Sequence, residues 1–220
     1  MRINTVKKAQ KDQGICRRGD CKTIIKVGDS YRWVKSRYGP KLVFCMKHVP
    51  RPSEMTSSDK LATIYGAQED IADALAAFMD SDREGLLESF DSLISSIEEA
   101  VGNVEETAQE YESISDNMEE YFPGSPRVDE IREKAELAQS FADALDSAKG
   151  DIEDKRGEIE EANDIEEPDD VEELGDIEGD SDIEEDANPY QEKETWEEII
   201  DRIRDEIENT VNDALDEMTL

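Results

Sequence analysis

Two hydrophobic periods divide the chain. In its first part the apolar residues fall in short strand-like runs around turns: T-I-I-K at 23–26, S-Y-R-W-V at 30–34 and K-L-V-F at 41–44, separated by Val27-Gly28-Asp29 and Tyr38-Gly39-Pro40. This pattern predicts a small β-hairpin unit behind a polar, basic lead. Tyr31 and Trp33 alternate with Arg32 and Val34, so one strand face carries both aromatics. Pro50 and Pro52 close the unit as a stiff exit.

From Thr56 the period becomes about 3.6. T-S-S-D at 56–59 has the form of a capping box, and Leu61, Ile64, Tyr65, Ile71, Leu75, Phe78 and Met79 fit an amphipathic helix interrupted by Gly66. A second box, S-D-R-E at 81–84, predicts the start of a longer helix. Its apolar positions run from Leu86 through Phe90, Ile97 and Val104 to Met118 and Tyr121, at a spacing close to a coiled-coil seam. Phe122-Pro123-Gly124-Ser125-Pro126 breaks that pattern. Ser125 as N-cap and Pro126 as first residue suit another helix, with Val128, Ala138, Phe141, Leu145 and Ile152 on one face. Two long helices joined by a short turn should form an antiparallel hairpin. A final box, T-W-E-E at 195–198, opens a helix with the stripe Trp196, Ile199, Ile200, Ile203, Ile207, Val211, Leu215 and Met218. That stripe needs cover, either from the hairpin or from another protein.

Charge adds a polarity that the helical pattern alone does not show. The net charge of -34 joins opposed regions: residues 1–60 hold fifteen Lys/Arg and five Asp/Glu, and the rest of the chain is strongly acidic. Residues 164–186 contain fourteen acidic residues and no Lys or Arg, with Pro168, Gly175 and Gly179 among them, and are expected to be disordered. D-I-E recurs at Asp151, Asp164, Asp176 and Asp182. It reads as low-complexity spacer, or as a short motif that docks an apolar residue into a basic-rimmed groove. With 36% hydrophobic and 38% charged residues, a broad core is not expected. The start lacks the apolar run of a signal peptide, and no segment approaches the roughly 20 apolar residues of a membrane span. A soluble, intracellular protein is expected, in host cytoplasm if the chain is viral. Membrane binding by the last helix is disfavoured by its acidic polar face.

The most specific chemistry lies in the basic part. All three cysteines and the only histidine group as Cys16 with Cys21 and Cys45 with His48. Each pair suits a tight turn, the first helped by Gly19, and the intervening chain suits a hairpin. Three thiolates and one imidazole make a closed tetrahedral shell for one structural zinc ion, with iron the less common occupant. Three cysteines cannot all pair as disulfides. A module of about fifty residues buries little apolar surface, so the metal is expected to be a condition of its folding.

Around these ligands stand Arg17, Arg18, Lys22, Lys26, Arg32, Lys35, Arg37, Lys41, Lys47 and Arg51, with Tyr31, Trp33 and Tyr38 among them. Cations beside aromatics suit phosphate contact and base stacking, and DNA or RNA is the expected first ligand of residues 1–55. The strongest candidates are Arg17, Arg18, Lys22, Arg32, Trp33, Lys35, Arg37 and Lys41. The competing reading makes Trp33 and Tyr31 the small core and the cations its solubilising surface. No glycine-rich phosphate loop, G-x-S-x-G or H-E-x-x-H is present, and no enzyme is expected.

The runs I-I-K-V-G-D-S-Y-R-W and R-Y-G-P-K-L-V-F-C-M-K-H resemble the poly(ADP-ribose) polymerase-type zinc finger, and are similar to small zinc-binding proteins of tailed bacteriophages, over residues 7–55. The resemblance implies the same four ligands and a DNA end or nick as the contact of the basic strands. This chain spaces its first pair C-x4-C where the family has C-x2-C, and orders its second pair Cys-His where the family has His-Cys.

The expected architecture is mainly α with a small β zinc module. Residues 1–55 form the zinc-stabilised unit, 56–162 an acidic helical hairpin or bundle, 163–192 a disordered acidic linker, and 193–220 an amphipathic helix. The expected function is that of a non-enzymatic accessory protein whose basic head contacts nucleic acid while the acidic body modulates it. The alternatives are an interaction protein whose acidic helices mimic DNA or capture a basic partner, and an assembly scaffold whose oligomer depends on 196–220.

Overall fold

The computed structural model describes residues 2–19, 21–35, 39–163 and 195–217, with side chains through Glu161 in the fourth helix. Arg37, Tyr38, Met218 and the acidic segment with the D-I-E repeats at Asp164, Asp176 and Asp182 lie outside the described residues.

The chain folds as a small β head and a helical bundle. In the head, strands β1 (Asn4–Val6), β4 (Tyr31–Lys35) and β5 (Lys41–Cys45) form an antiparallel sheet in the order β1-β4-β5. Strands β2 (Gly14–Ile15) and β3 (Ile24–Ile25) form a separate antiparallel ribbon. Gly28, at φ +91°, turns the chain between β3 and β4. β1 arises inside the stretch that the sequence reads as a polar lead. Asn4, Thr5 and Val6 pair with Trp33, Arg32 and Tyr31, and a three-residue strand carries too short an alternation to read.

The register explains the head's packing. Tyr31 pairs with Cys45 and Trp33 with Val43 on one face, while Arg32 pairs with Phe44 and Val34 with Leu42 on the other. Both faces are covered: Tyr31 and Cys45 are buried on the first, Val34 and Phe44 on the second, and Ile25 and Cys16 join the same cluster.

A short helix, α1 (Pro52–Met55), follows where the sequence suggests only a stiff exit. Proline at its first position removes an N–H that would lack a partner anyway, and the Glu54 carboxylate accepts from the Arg51 amide at 2.8 Å. The bundle then comprises α2 (Asp59–Met79), α3 (Leu86–Tyr121), α4 (Pro126–Asn163) and α5 (Trp196–Asp216). Two starts differ from the capping boxes. α2 is capped by Ser58, whose hydroxyl accepts from the Leu61 amide, so the box at Thr56 lies two residues early. α3 begins at Leu86, not Ser81. The Ser81 hydroxyl donates instead to the Phe78 carbonyl, and the Asp82 carboxylate accepts from Gly85 N–H, making a turn of 81–85. The box at Thr195 and Glu198 caps α5 as expected.

α3 and α4 form the antiparallel hairpin, with α2 against α3. α5 returns to the bundle and sets Ile203, Ile207, Val211 and Ala214 into the same core as Ile71, Phe90, Leu93, Phe141 and Leu145. Lys155 of α4 meets Glu206 of α5 at 2.8 Å, and Gln68 of α2 donates to the Leu215 carbonyl. Among the described residues, no helix is long and apolar enough to cross a membrane.

Candidate metal centre

Each ligand pair sits on a turn that closes on itself. After β2, the Cys21 amide donates to the Arg18 carbonyl at 2.9 Å; after β5, the His48 amide donates to the Cys45 carbonyl at 3.1 Å. The turns bring Cys16, Cys21, Cys45 and His48 together, with Cys16 and Cys45 buried and the other two half-buried. Sulfur and Nδ1 atoms of the four all lie within 4.8 Å of one another.

Three of the six separations among these atoms match the edges of a tetrahedron. Zn–S bonds of about 2.3 Å and Zn–N bonds of about 2.0–2.1 Å, at tetrahedral angles, put two sulfurs about 3.8 Å apart and a sulfur and nitrogen about 3.6 Å apart. Here Cys21 Sγ and Cys45 Sγ are 3.9 Å apart, and His48 Nδ1 lies 3.6 Å from Cys16 Sγ and 3.4 Å from Cys45 Sγ. Nδ1, rather than Nε2, faces the thiols. All three cysteines are free of disulfides. Four side chains, one to each vertex, would leave no vertex for water or substrate, the kind of shell that structural ions take.

Local hydrogen bonds favour thiolates. The Cys45 amide donates to Cys16 Sγ at 3.3 Å. Burial pushes the Cys16 thiol up, opposed by backbone N–H groups of Cys45 and Arg18. Cys21 is lowered to about 6 by the Thr23 hydroxyl, 3.2 Å from its sulfur, and by the Thr23 amide. Thr23 stands two residues beyond Cys21, and nothing in its sequence position marks it for this contact.

The cations and aromatics singled out beside the ligands differ in what they contact. Arg32 donates to the carbonyls of Met46 and His48 at 2.9 and 3.1 Å, and Arg18 donates to the Val49 carbonyl at 2.8 Å. These guanidinium groups brace the second ligand turn. Lys41 lies 4.7 Å from the Tyr31 ring centre and 5.1 Å from that of Trp33, and donates to the Tyr31 hydroxyl and Gln13. Tyr31 is buried and Trp33 half-buried beneath that ammonium. Arg17, Lys22, Lys26 and Lys35 are exposed.

A polar chain connects the centre to the bundle. Arg18 lies 3.6 Å from Glu54, Ser53 donates from its amide and hydroxyl to Glu69 of α2, and Arg51 donates to Asp73 at 2.6 Å. Nothing in the spacing of Glu69 or Asp73 marks them for this junction. Compared with known proteins, the chain matches no family model, no curated protein and no solved structure.

Proposed function

We propose that this chain is a non-enzymatic accessory protein whose head is folded around one structural zinc ion and presents exposed cations to a polyanion, with DNA or RNA the first ligand to test. The observation that carries the reading is the Cys3His cluster, in which one S···S and two S···N separations fit the edges of a zinc tetrahedron. The metal holds β2–β3 against β5 and so fixes the cations that lie between the ligands. Arg17, Lys22, Lys26 and Lys35 are the phosphate contacts of this reading, and Trp33 supports the sheet rather than stacking on bases. The likeness of residues 7–55 to poly(ADP-ribose) polymerase-type fingers makes a nicked duplex the first DNA to try.

The test is fluorescence anisotropy of labelled single-stranded and nicked duplex DNA with the zinc-loaded full chain across a salt series. Four phosphate contacts predict a slope of log K against log salt of about -3 on single strands. The quadruple alanine variant of Arg17, Lys22, Lys26 and Lys35 should lose that slope, while Trp33→Phe should keep it. Absence of salt-sensitive binding to either DNA would overturn the nucleic-acid reading.

A second reading assigns function to the bundle, whose acidic surface would capture a basic protein. It is favoured by one observation: Lys60, Arg132, Lys155 and Arg156 are already paired with carboxylates of the bundle itself, and the large acidic excess of the rest of the chain remains.

A further inference from the structure

The β2–β3 ribbon has two unlike faces. Its Ile15↔Ile24 pair continues through the bond from the Cys16 amide to the Thr23 carbonyl, so residues alternate between the metal side and the outside. Cys16 and Ile25 point inward and are buried. Ile15 and Ile24 point outward as a cross-strand pair, 62% and 54% exposed. By the same alternation Arg17 and Lys22 lie beyond the pair at one end and Lys26 at the other, all three exposed. The nearby Asp12 and Asp29 carboxylates accept from the amides of Val27 and Lys26. The outer face is thus two branched aliphatic side chains between cations.

The geometry points to one occupant for this face: the chain's own acidic segment 164–186, which docks an isoleucine of its D-I-E repeats between Ile15 and Ile24 and sets the flanking carboxylates against Arg17, Lys22 and Lys26. Three observations carry the assignment. The first is complementarity, since D-I-E offers one branched aliphatic residue between two carboxylates and the ribbon offers the inverse pattern. The second is availability. The isoleucine of the first repeat, Ile152, is buried in the bundle core, whereas Ile165, Ile177 and Ile183 belong to a stretch with no cation of its own.

The third is reach. Ile159, shortly before the segment, and Trp196, shortly after it, line one cleft with Leu86 and Leu87, so the segment leaves and rejoins the bundle at one end. The head meets α2 at Glu69 and Asp73, about 15 and 9 Å along the helix from its Met79 end at 1.5 Å per residue. Half of residues 164–194, extended at about 3.3 Å per residue, reaches about 50 Å, which suffices for Ile177 and Ile183 but not for Ile165, two residues beyond Asn163. Attachment at both ends keeps the repeats at high effective concentration, so weak individual contacts suffice. The proposal rests on the metal-held head described above but does not require that head to bind nucleic acid. Where it does, the segment competes for the same cations.

The test is a comparison of amide NMR spectra of the zinc-loaded full chain and its variant I165S/I177S/I183S, which keeps every charge, without nucleic acid. The expected result is a shift of the Ile15, Arg17, Lys22, Ile24 and Lys26 amides in the variant, unchanged on tenfold dilution of either protein. The reciprocal variant I15S/I24S, altered only at exposed positions, should shift amides within 164–186. Spectra that differ only at the substituted residues would overturn the proposal. Shifts that disappear on dilution would also overturn it, and would assign the face to a second copy of the chain. Neither outcome bears on whether the head binds DNA, which the salt series reads separately.

Discussion

The Cys45 amide donates to the Cys16 sulfur at 3.3 Å, across 29 residues of sequence. One ligand of each pair is therefore joined to the other by the main chain itself. A thiolate that accepts an N–H keeps its charge at lower cost, and the same bond fixes β5 against the turn that follows β2. On the proposed reading, metal binding and folding of the head are one event.

Cys45→Ser should remove one vertex and this bond's setting together. The head's sheet should be lost while α2–α5, whose core shares no residue with the head's, stays folded. Far-UV circular dichroism should retain its helical signal, and Cys16 and Cys21 should become reactive to a thiol reagent. A head that remains protected from that reagent would contradict the coupling.

Arg32→Ala tests the brace on the second ligand turn. Arg32 supplies hydrogen bonds to the carbonyls of Met46 and His48, and partners behind metal ligands typically contribute 10–100-fold in metal affinity. Competition with a chelator should show zinc held about 10-fold less tightly, or weaker still. Lys35→Ala, at an exposed position of the same strand, should leave retention unchanged.

Ile207→Ala probes the seat of α5. Ile207 is 1% exposed in the bundle core, and truncating such a side chain costs about 2–5 kcal/mol. The urea midpoint should fall clearly, and the zinc content should not change.

The pairing of Lys155 with Glu206 gives an acid dependence of defined sign. Lys155 holds the Glu206 carboxyl below its ordinary value of 4.5. A carboxyl depressed in the folded state stabilises the fold above its unfolded pKa, and that contribution is lost as pH falls through the folded one. The urea midpoints of the parent and Glu206→Gln should differ most near neutral pH and converge once the pH has fallen through the depressed Glu206 value. Half-exposure of both side chains keeps the difference small and sensitive to salt.

The clustering of Cys16, Cys21, Cys45 and His48 was legible because three cysteines and one histidine have few other ways to group, and the helices because their apolar stripes run for many turns. Shorter-range features were not. The strand at Asn4 and the turn at Pro52 are too brief to show a period, and Ser81 could not reveal that its hydroxyl turns back to Phe78. Charge identity alone did not say which cations face outward. Arg18 and Arg32 belong to the metal turn because main-chain carbonyls lie within their reach, a fact of tertiary structure. The terminal helix displayed its need for a partner, but only the fold shows that α4 and α2 fill it.

The central claim is best tested by X-ray absorption at the zinc edge on the purified full chain, with metal content measured on the same sample. One zinc per chain bound by three sulfurs at about 2.3 Å and one nitrogen at about 2.0–2.1 Å is the expected result. A chain that takes up no zinc under reducing conditions, or holds it through fewer than three sulfurs, would contradict it.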